Sequence, residues 1–454
     1  MARNAILLTL AASTLSACIT VEPGSPGRAI AGTMSISDPE ARASRDEIAP
    51  GVAVWPRRWG DEIADRQDDS IKGVIVPVEG PLKAWQPRRH GPWHARLPRG
   101  NDTDLVAALA NGRAGEQGYR FRMEGNGAFV FERDPDIPAQ AQPVGRSDPA
   151  EMFVFVSGRI EEEQAGDLPR VGIERTWFAF YDHRRDGDPS PDDPGVGTVM
   201  LLPGLFGIPE QVIDVVTATM RQRGWNVIRM LAPPSRFVEK VDIEIDPDEP
   251  ETAHAAAKEL MHRVSETAYA AQAAWEHVRT LRPATEGLPK VAFGGSGGAL
   301  ALPAVVRRDP TRYDAAVVIA GGANILEVVT RSSYTKPVDA LEFAWKSVED
   351  GALPADGALE SAFEEYLRHA PLDGFHAGAW LGGMPTLIVQ AAQDRAVPTA
   401  NSELLWKRLG EPEKWTIQGN HLTLFLSLWL HTPKILDWVD DRVLRDSPAE
   451  GEQP

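Results

Sequence analysis

Cysteine is almost missing from this chain: among 454 residues there is one, Cys18. A single thiol closes no internal disulfide, so the fold has to rest on packing. Long apolar runs are missing too. Beyond the first residues no segment approaches the roughly 18 apolar residues that a membrane-spanning helix needs. Positive charge forms no basic block and is outnumbered, 47 Lys and Arg against 65 Asp and Glu, for a net charge of −18. Such a surface repels phosphate backbones, which argues against nucleic acid as a partner. The 10 histidines show no spacing with cysteines or acids that suits a metal. His90 and His94 sit among Arg, Pro and Trp and read as structural. No glycine-rich loop ends in Lys-Ser or Lys-Thr, so no phosphate cradle is expected. The chain calls for no metal and no organic cofactor.

What is present begins at the N-terminus. Arg3 precedes an apolar stretch, Ala5–Leu15, too short to span a bilayer, and then Leu15-Ser16-Ala17-Cys18. These four residues resemble the lipobox of bacterial lipoproteins. The resemblance implies removal of residues 1–17, lipidation of Cys18 as the new N-terminus, and a place in the cell envelope, facing the periplasm or the exterior. It also gives the lone thiol a purpose. Composition divides the rest. Residues 18–50, rich in Ser, Ala, Pro and Gly, read as a flexible tether. Residues 51–134 read as a small α+β domain, 135–151 as a linker, 152–445 as the main domain and 446–454 as a disordered tail.

Within the small domain, Gly73–Val78 is an expected strand and Asp102–Asn111 an expected helix. Tyr119, Phe121 and Met123 alternate with charged residues ahead of Gly125-Asn126-Gly127, which predicts a hairpin. Strands are expected over Phe153–Ser157 and Val171–Tyr181. From Gly197 on, strands and helices alternate. Thr198–Leu202 and Asn226–Leu231 are strands around the helix Gln211–Arg223, which Gly224 ends. An acidic loop, Asp242–Glu251, leads into a long helix carrying Ala257, Leu260, Val264, Ala268, Ala271, Trp275 and Val278 at helical spacing, with Pro283 at its end. Ala315–Ile319, Pro385–Ala391 and Lys414–Ile417 are later strands. The alternation implies a parallel sheet covered on both faces. Residues 323–381 break it. They read as a helical insertion and candidate lid, with Phe343, Trp345, Phe363, Tyr366, Phe375 and Trp380 packing its core or offering an apolar ligand surface.

The stretch around which the chain is organised is Lys290–Leu300. Val291-Ala292-Phe293 enters Gly294-Gly295-Ser296-Gly297-Gly298, and a small-residue helix follows, with Pro303 as an obstacle inside it. Gly-x-Ser-x-Gly between strand and helix has the form of a nucleophile elbow. Serine needs a base, and the base needs an orienting acid. Asp394 directly follows a strand, with Asp373 and Asp339 as rivals. His421 follows the last strand, with His431 as its rival.

Residues 153–441 resemble an α/β-hydrolase domain, on the elbow, on Ala-Gln-Asp394-Arg-Ala-Val-Pro and on Gly-Asn-His421, in the chain order Ser, Asp, His. The resemblance implies Ser296 as nucleophile, His421 as base and Asp394 as orienting acid. It implies an oxyanion hole from the backbone N–H of Gly297 and of Leu205 in Pro203-Gly204-Leu205-Phe206-Gly207, where the family often has His-Gly. The activity implied is cleavage of a small-molecule carboxylic ester, and the aromatics of the insertion suggest an apolar acyl or aryl group on it. Transfer to an alcohol or an amide bond as substrate uses the same residues, and a binding module on the same fold is the alternative outside enzymology.

Overall fold

The computed structural model describes residues 19–23, 74–78, 93–96, 119–123, 129–133, 151–161, 170–184, 193–202, 204, 210–231, 241–333, 341–346, 353–382 and 384–444. In chain order the strands are β1 (Ile19–Glu22), β2 (Val74–Val78), β3 (Trp93–Arg96), β4 (Tyr119–Met123), β5 (Phe129–Arg133), β6 (Glu151–Glu161), β7 (Arg170–Tyr181), β8 (Gly197–Leu202), β9 (Trp225–Leu231), β10 (Val241–Ile245), β11 (Lys290–Gly295), β12 (Ala315–Ile319), β13 (Leu341–Trp345), β14 (Thr386–Ala391) and β15 (Glu413–Ile417). The helices are α1 (Glu210–Gln222), α2 (Pro250–Leu281), α3 (Gly297–Arg308), α4 (Ile325–Arg331), α5 (Asp356–Arg368), α6 (Gly374–Ala377), α7 (Thr399–Arg408) and α8 (His421–Val443).

The central sheet is mixed and mostly parallel, as the alternation predicts. Its order is β1-β15-β14-β12-β11-β8-β9-β7-β6-β2, with β3 paired to β7. The strands from β9 through β15 pair in parallel, and β7 joins β9 antiparallel. Strand periodicity sends successive side chains to opposite faces. Met200 and Leu202 therefore enter one apolar cluster with α2 and α3, while Val199 and Leu201 enter another with α1 and α8. Helices cover both faces, which explains why the central strands are apolar along their whole length.

Four expectations need correction or extension. Ile19–Glu22, expected to open the tether, is a strand on the sheet edge, with Ile19 opposite Ile417 and Val21 opposite Trp415. Its Ile and Val, two apart, fit a pleated edge. The acidic loop 242–251 begins inside β10, whose Val241, Ile243 and Ile245 alternate with Asp242 and Glu244. The insertion 323–381 is not wholly helical: besides α4, α5 and α6 it holds β13, paired in parallel with β10. Finally, β2 and β3, expected inside a separate small domain, pair with β6 and β7 of the main sheet. The expected hairpin forms as β4 and β5, with Met123 opposite Phe129. The helix expected at 102–111 lies outside the described residues.

The insertion's helices extend the layer formed by α2 and α3: α5 packs on α2, and α6 on α3 and α7. Its aromatics join that core. Trp345, Phe363, Tyr366 and Phe375 are buried in it, and Phe343 and Trp380 pack against it. Helix α3 runs through Pro303 despite the lost hydrogen bond, because every residue from Gly297 to Val306 is buried. Among the described residues no helix is long and apolar enough to cross a membrane.

Candidate active site

Strand β11 ends at Gly295 and α3 starts at Gly297, so Ser296 alone turns the chain. It does so at φ 51° and ψ −117°, a conformation that costs a residue with a Cβ about 1–3 kcal/mol. Hydrogen bonds hold it there. The Ser296 N–H donates to Ile319 O at 2.8 Å, and Ser296 O accepts from the N–H groups of Ala299 and Leu300 at 2.9 and 3.0 Å. The glycine before the turn is a steric requirement. A Cβ at Gly294 would lie 2.8 Å from both Ala299 Cα and Gly298 O, so strand and helix approach backbone to backbone.

The loop after β14 carries Asp394, and the loop after β15 carries His421. Two backbone bonds lace these loops together: Ala392 N–H to Ile417 O and Gln393 N–H to Gly419 O, both 2.9 Å. Asp394 Oδ1 accepts from the N–H groups of Ala396 and Val397, each at 2.9 Å. That fixes the carboxylate and leaves Oδ2 to face elsewhere. Gly419 turns the second loop at φ +119°, and Asn420 caps α8 by accepting from the Thr423 N–H at 3.0 Å. His421 thereby becomes the first residue of the helix, pointed back at the sheet.

The three sequence-predicted residues meet. His421 Nδ1 lies 2.7 Å from Asp394 Oδ2, and His421 Nε2 lies 3.0 Å from Ser296 Oγ. Both His421 and Asp394 are buried. With Nδ1–H donating to the carboxylate, Nε2 presents its lone pair to the serine hydroxyl. Gly297 heads α3, where first-turn N–H groups have no partner within the helix and carry the positive end of its dipole. Leu205 lies outside the described residues, but its neighbour Gly204 does not. A Cβ at Gly204 would stand 3.0 Å from Ser296 Cβ and 3.6 Å from Ser296 Oγ. Gly204, in the stretch expected to complete the oxyanion hole, therefore lies against the serine. Cys18 and the rival Asp339 also fall outside the described residues.

The two remaining rivals have other work. Asp373 is fully buried and accepts from the N–H groups of Asn324, Ile325 and Phe375 at 2.8, 2.7 and 2.8 Å, and from the Tyr366 hydroxyl at 2.9 Å. It ties the start of the insertion, at Asn324 and Ile325, to its end. His431 is buried within α8, and burial pushes its pKa down. One contributor was missed in the sequence. Phe425 meets the His421 ring edge to face, with centroids 4.9 Å apart, and a Cβ at Gly295 would come within 3.1 Å of its ring. Its position four residues after His421, one helical turn on, was the available signal. Among the described residues, no group of three or more His, Cys, Asp or Glu side chains is placed to hold a metal ion.

No protein-family profile matches this chain, and no curated protein sequence does. Several solved structures are similar at low identity. A cold-adapted esterase from an Arctic intertidal metagenomic library is 13% identical, covering 64% of this chain and 94% of its own, with a TM-score of 0.34. A peroxisomal α/β-hydrolase from Saccharomyces cerevisiae is 11% identical over 68% of this chain and 93% of its own, with a TM-score of 0.38. An acylaminoacyl peptidase from Pyrococcus horikoshii is 11% identical over 74% of this chain and 58% of its own, with a TM-score of 0.39. Scores this low leave the fold to stand on its own features. A mostly parallel sheet, a strained serine between strand and helix, and acid and base on later loops in the order Ser, Asp, His are the features of the α/β-hydrolase fold.

Proposed function

We propose that this chain is a lipid-anchored serine hydrolase of the cell envelope that cleaves carboxylic esters through an acyl-enzyme. One observation carries the chemical part: the continuous relay from Ser296 Oγ through His421 to Asp394, with links of 3.0 and 2.7 Å. His421 Nε2 takes the hydroxyl proton as Ser296 Oγ attacks the ester carbonyl. Asp394 holds the tautomer and stabilises the imidazolium. The oxyanion forms near the Gly297 N–H, with Leu205 the expected second donor. His421 then protonates the departing alcohol, and water, activated by the same imidazole, releases the acid. Strain at Ser296 supports the reading, because the fold sustains an unfavourable backbone where the chemistry needs an exposed hydroxyl. The anchor rests on Leu15-Ser16-Ala17-Cys18 and on the chain's having no second cysteine.

A fluorophosphonate probe tests the nucleophile. Incubation of the full chain, followed by peptide mass analysis, is expected to find the adduct on Ser296 and to lose it in Ser296→Ala. A folded chain that takes no label, or takes it at another serine, refutes the reading.

A further inference from the structure

Helix α8 buries one face against the sheet and turns the other to solvent. Along the solvent-facing stripe stand Leu422, Leu426 and Leu430, then Pro433, Lys434, Asp437 and Asp441. Proline, lysine and aspartate suit a water-facing helix. The three leucines do not, yet they are 45%, 43% and 37% exposed. Spaced four apart, they form a continuous ridge about 12 Å long. The ridge begins at the residue after His421, so it starts at the catalytic rim of the sheet.

Strand β1 supplies the independent observation. It lies antiparallel to β15 with Ile19 opposite Ile417, so its N-terminal end sits where β15 leads into the His421 loop. Directly opposed residues share a face. Val21, opposite Trp415 and 43% exposed, is therefore on the α8 side of the sheet, where Trp415 packs in the α8 cluster. Lys414, buried beneath, binds Glu22 at 3.1 Å and secures the strand. Cys18 is one peptide bond from Ile19, and adjacent Cα atoms lie about 3.8 Å apart. A lipid on Cys18 would thus leave the protein at the end of the sheet from which the His421 loop departs, the end at which the leucine ridge starts.

We propose that the ridge of Leu422, Leu426 and Leu430 rests in the interfacial layer of the same bilayer that holds the Cys18 lipid, so that the Ser296 site opens at the membrane surface. The inference rests on the anchor in the proposed function. A short anchor and an amphipathic helix side by side act as two membrane signals, and each lowers the cost of engaging the other. The mixed stripe also sets the orientation. The leucine end of α8 meets the bilayer and the end carrying Asp437 and Asp441 stays in water.

The test uses the full chain, expressed with its leader and purified from membranes. One cysteine is added at a time: Leu422→Cys, Leu426→Cys, Asp441→Cys or Gly287→Cys. Gly287 is exposed, just ahead of β11, at the opposite end of the sheet. A lipidated Cys18 is a thioether and does not react with maleimide, so only the new thiol takes an environment-sensitive fluorophore. In phosphatidylethanolamine–phosphatidylglycerol vesicles, the probes at 422 and 426 are expected to shift blue. Nitroxide-bearing lipid should quench them severalfold more than the probes at 287 and 441. Equal quenching at all four positions, with an intact mass that includes the lipid, overturns the docking and leaves the anchor standing. A blue shift without lipid quenching means that protein covers the ridge, and it overturns the docking too. An intact mass with a bare Cys18 thiol removes the anchor, and the docking falls with it.

Discussion

Replacing Asp394 by asparagine should disable the site while leaving the fold nearly intact. Two backbone donors, Ala396 N–H and Val397 N–H, aim at Oδ1 from 2.9 Å. An asparagine has one oxygen, and these donors claim it. The amide nitrogen then takes the place of Oδ2, 2.7 Å from His421 Nδ1, and donates to it. The imidazole must accept at Nδ1 and carry its proton on Nε2, where it cannot take the proton of Ser296. In a serine triad where this tautomer swap has been measured it costs on the order of 10,000-fold in kcat, or about 5.5 kcal/mol at ~1.4 kcal/mol per decade. Stability should fall by only ~1 kcal/mol, since both backbone bonds survive. Hydrolysis of p-nitrophenyl butyrate and thermal unfolding, run in parallel, separate the two effects. A loss below about tenfold from a variant with unchanged unfolding would refute the argument, because the tautomer would then not matter.

Three further outcomes follow from the same contacts. Gly204→Ala forces a Cβ to within 3.0 Å of Ser296 Cβ; the pinned serine cannot yield, so kcat should drop about 10- to 100-fold with the fold preserved, and activity at the parent level would show that the loop moves freely. Phe425→Leu removes the ring edge from His421, 4.9 Å away between centroids, and should cost roughly 1–2 kcal/mol of stability together with a severalfold fall in kcat; a fall in stability alone would leave Phe425 a packing residue. Burial pushes the half-buried His376 imidazole down to about 4 from 6.5. The unfolded chain then takes up the proton first, so this contribution to stability is whole above pH 6.5 and is lost as pH falls toward 4, by about 2 kcal/mol after allowance for the ring's partial exposure. Urea midpoints at pH 7 and 4.5 should reveal a slope that His376→Gln flattens; the same slope in both would place the titration elsewhere.

The meeting of Ser296, Asp394 and His421 was legible because each is announced by local chain chemistry. Glycines around Ser296 announce a turn that only small neighbours allow, and Gly419-Asn420 ahead of His421 announces a loop and a helix cap. The parallel core was legible because buried strands are uniformly apolar. The misses share a different physics. In β10 and β13 the period-two pattern is only five residues long and its polar positions include acids, so charge hid the alternation of Ile243 and Ile245, and of Phe343 and Trp345. In β1, a strand of four residues owes its existence to an edge partner hundreds of positions away, and no local propensity records such a partner. Phe425 was missed because a phenylalanine on a buried helix face looks the same whether it packs a core or steadies an imidazole.

Asp373 and Asp394 differ in what their oxygens face. Both sit in loops, out of solvent, and accept from backbone N–H groups, so burial and hydrogen bonding alone would rank Asp373 higher. What differs is the use of the second oxygen. At Asp373 both oxygens are consumed by fixed donors, three backbone N–H groups and the Tyr366 hydroxyl, and none of these changes protonation near neutral pH. At Asp394 the backbone consumes one oxygen and the other faces an imidazole, the side chain whose proton can move in that range. Asp373→Asn should therefore reverse the Asp394→Asn result. An amide there must turn its NH2 toward donors, costing about 2–4 kcal/mol of stability, while kcat of the folded fraction stays within about threefold of the parent because nothing in the relay changes. If Asp373→Asn instead abolished kcat in a folded chain and Asp394→Asn did not, the acid would have been assigned to the wrong loop, and the insertion rather than the strand edge would hold the imidazole.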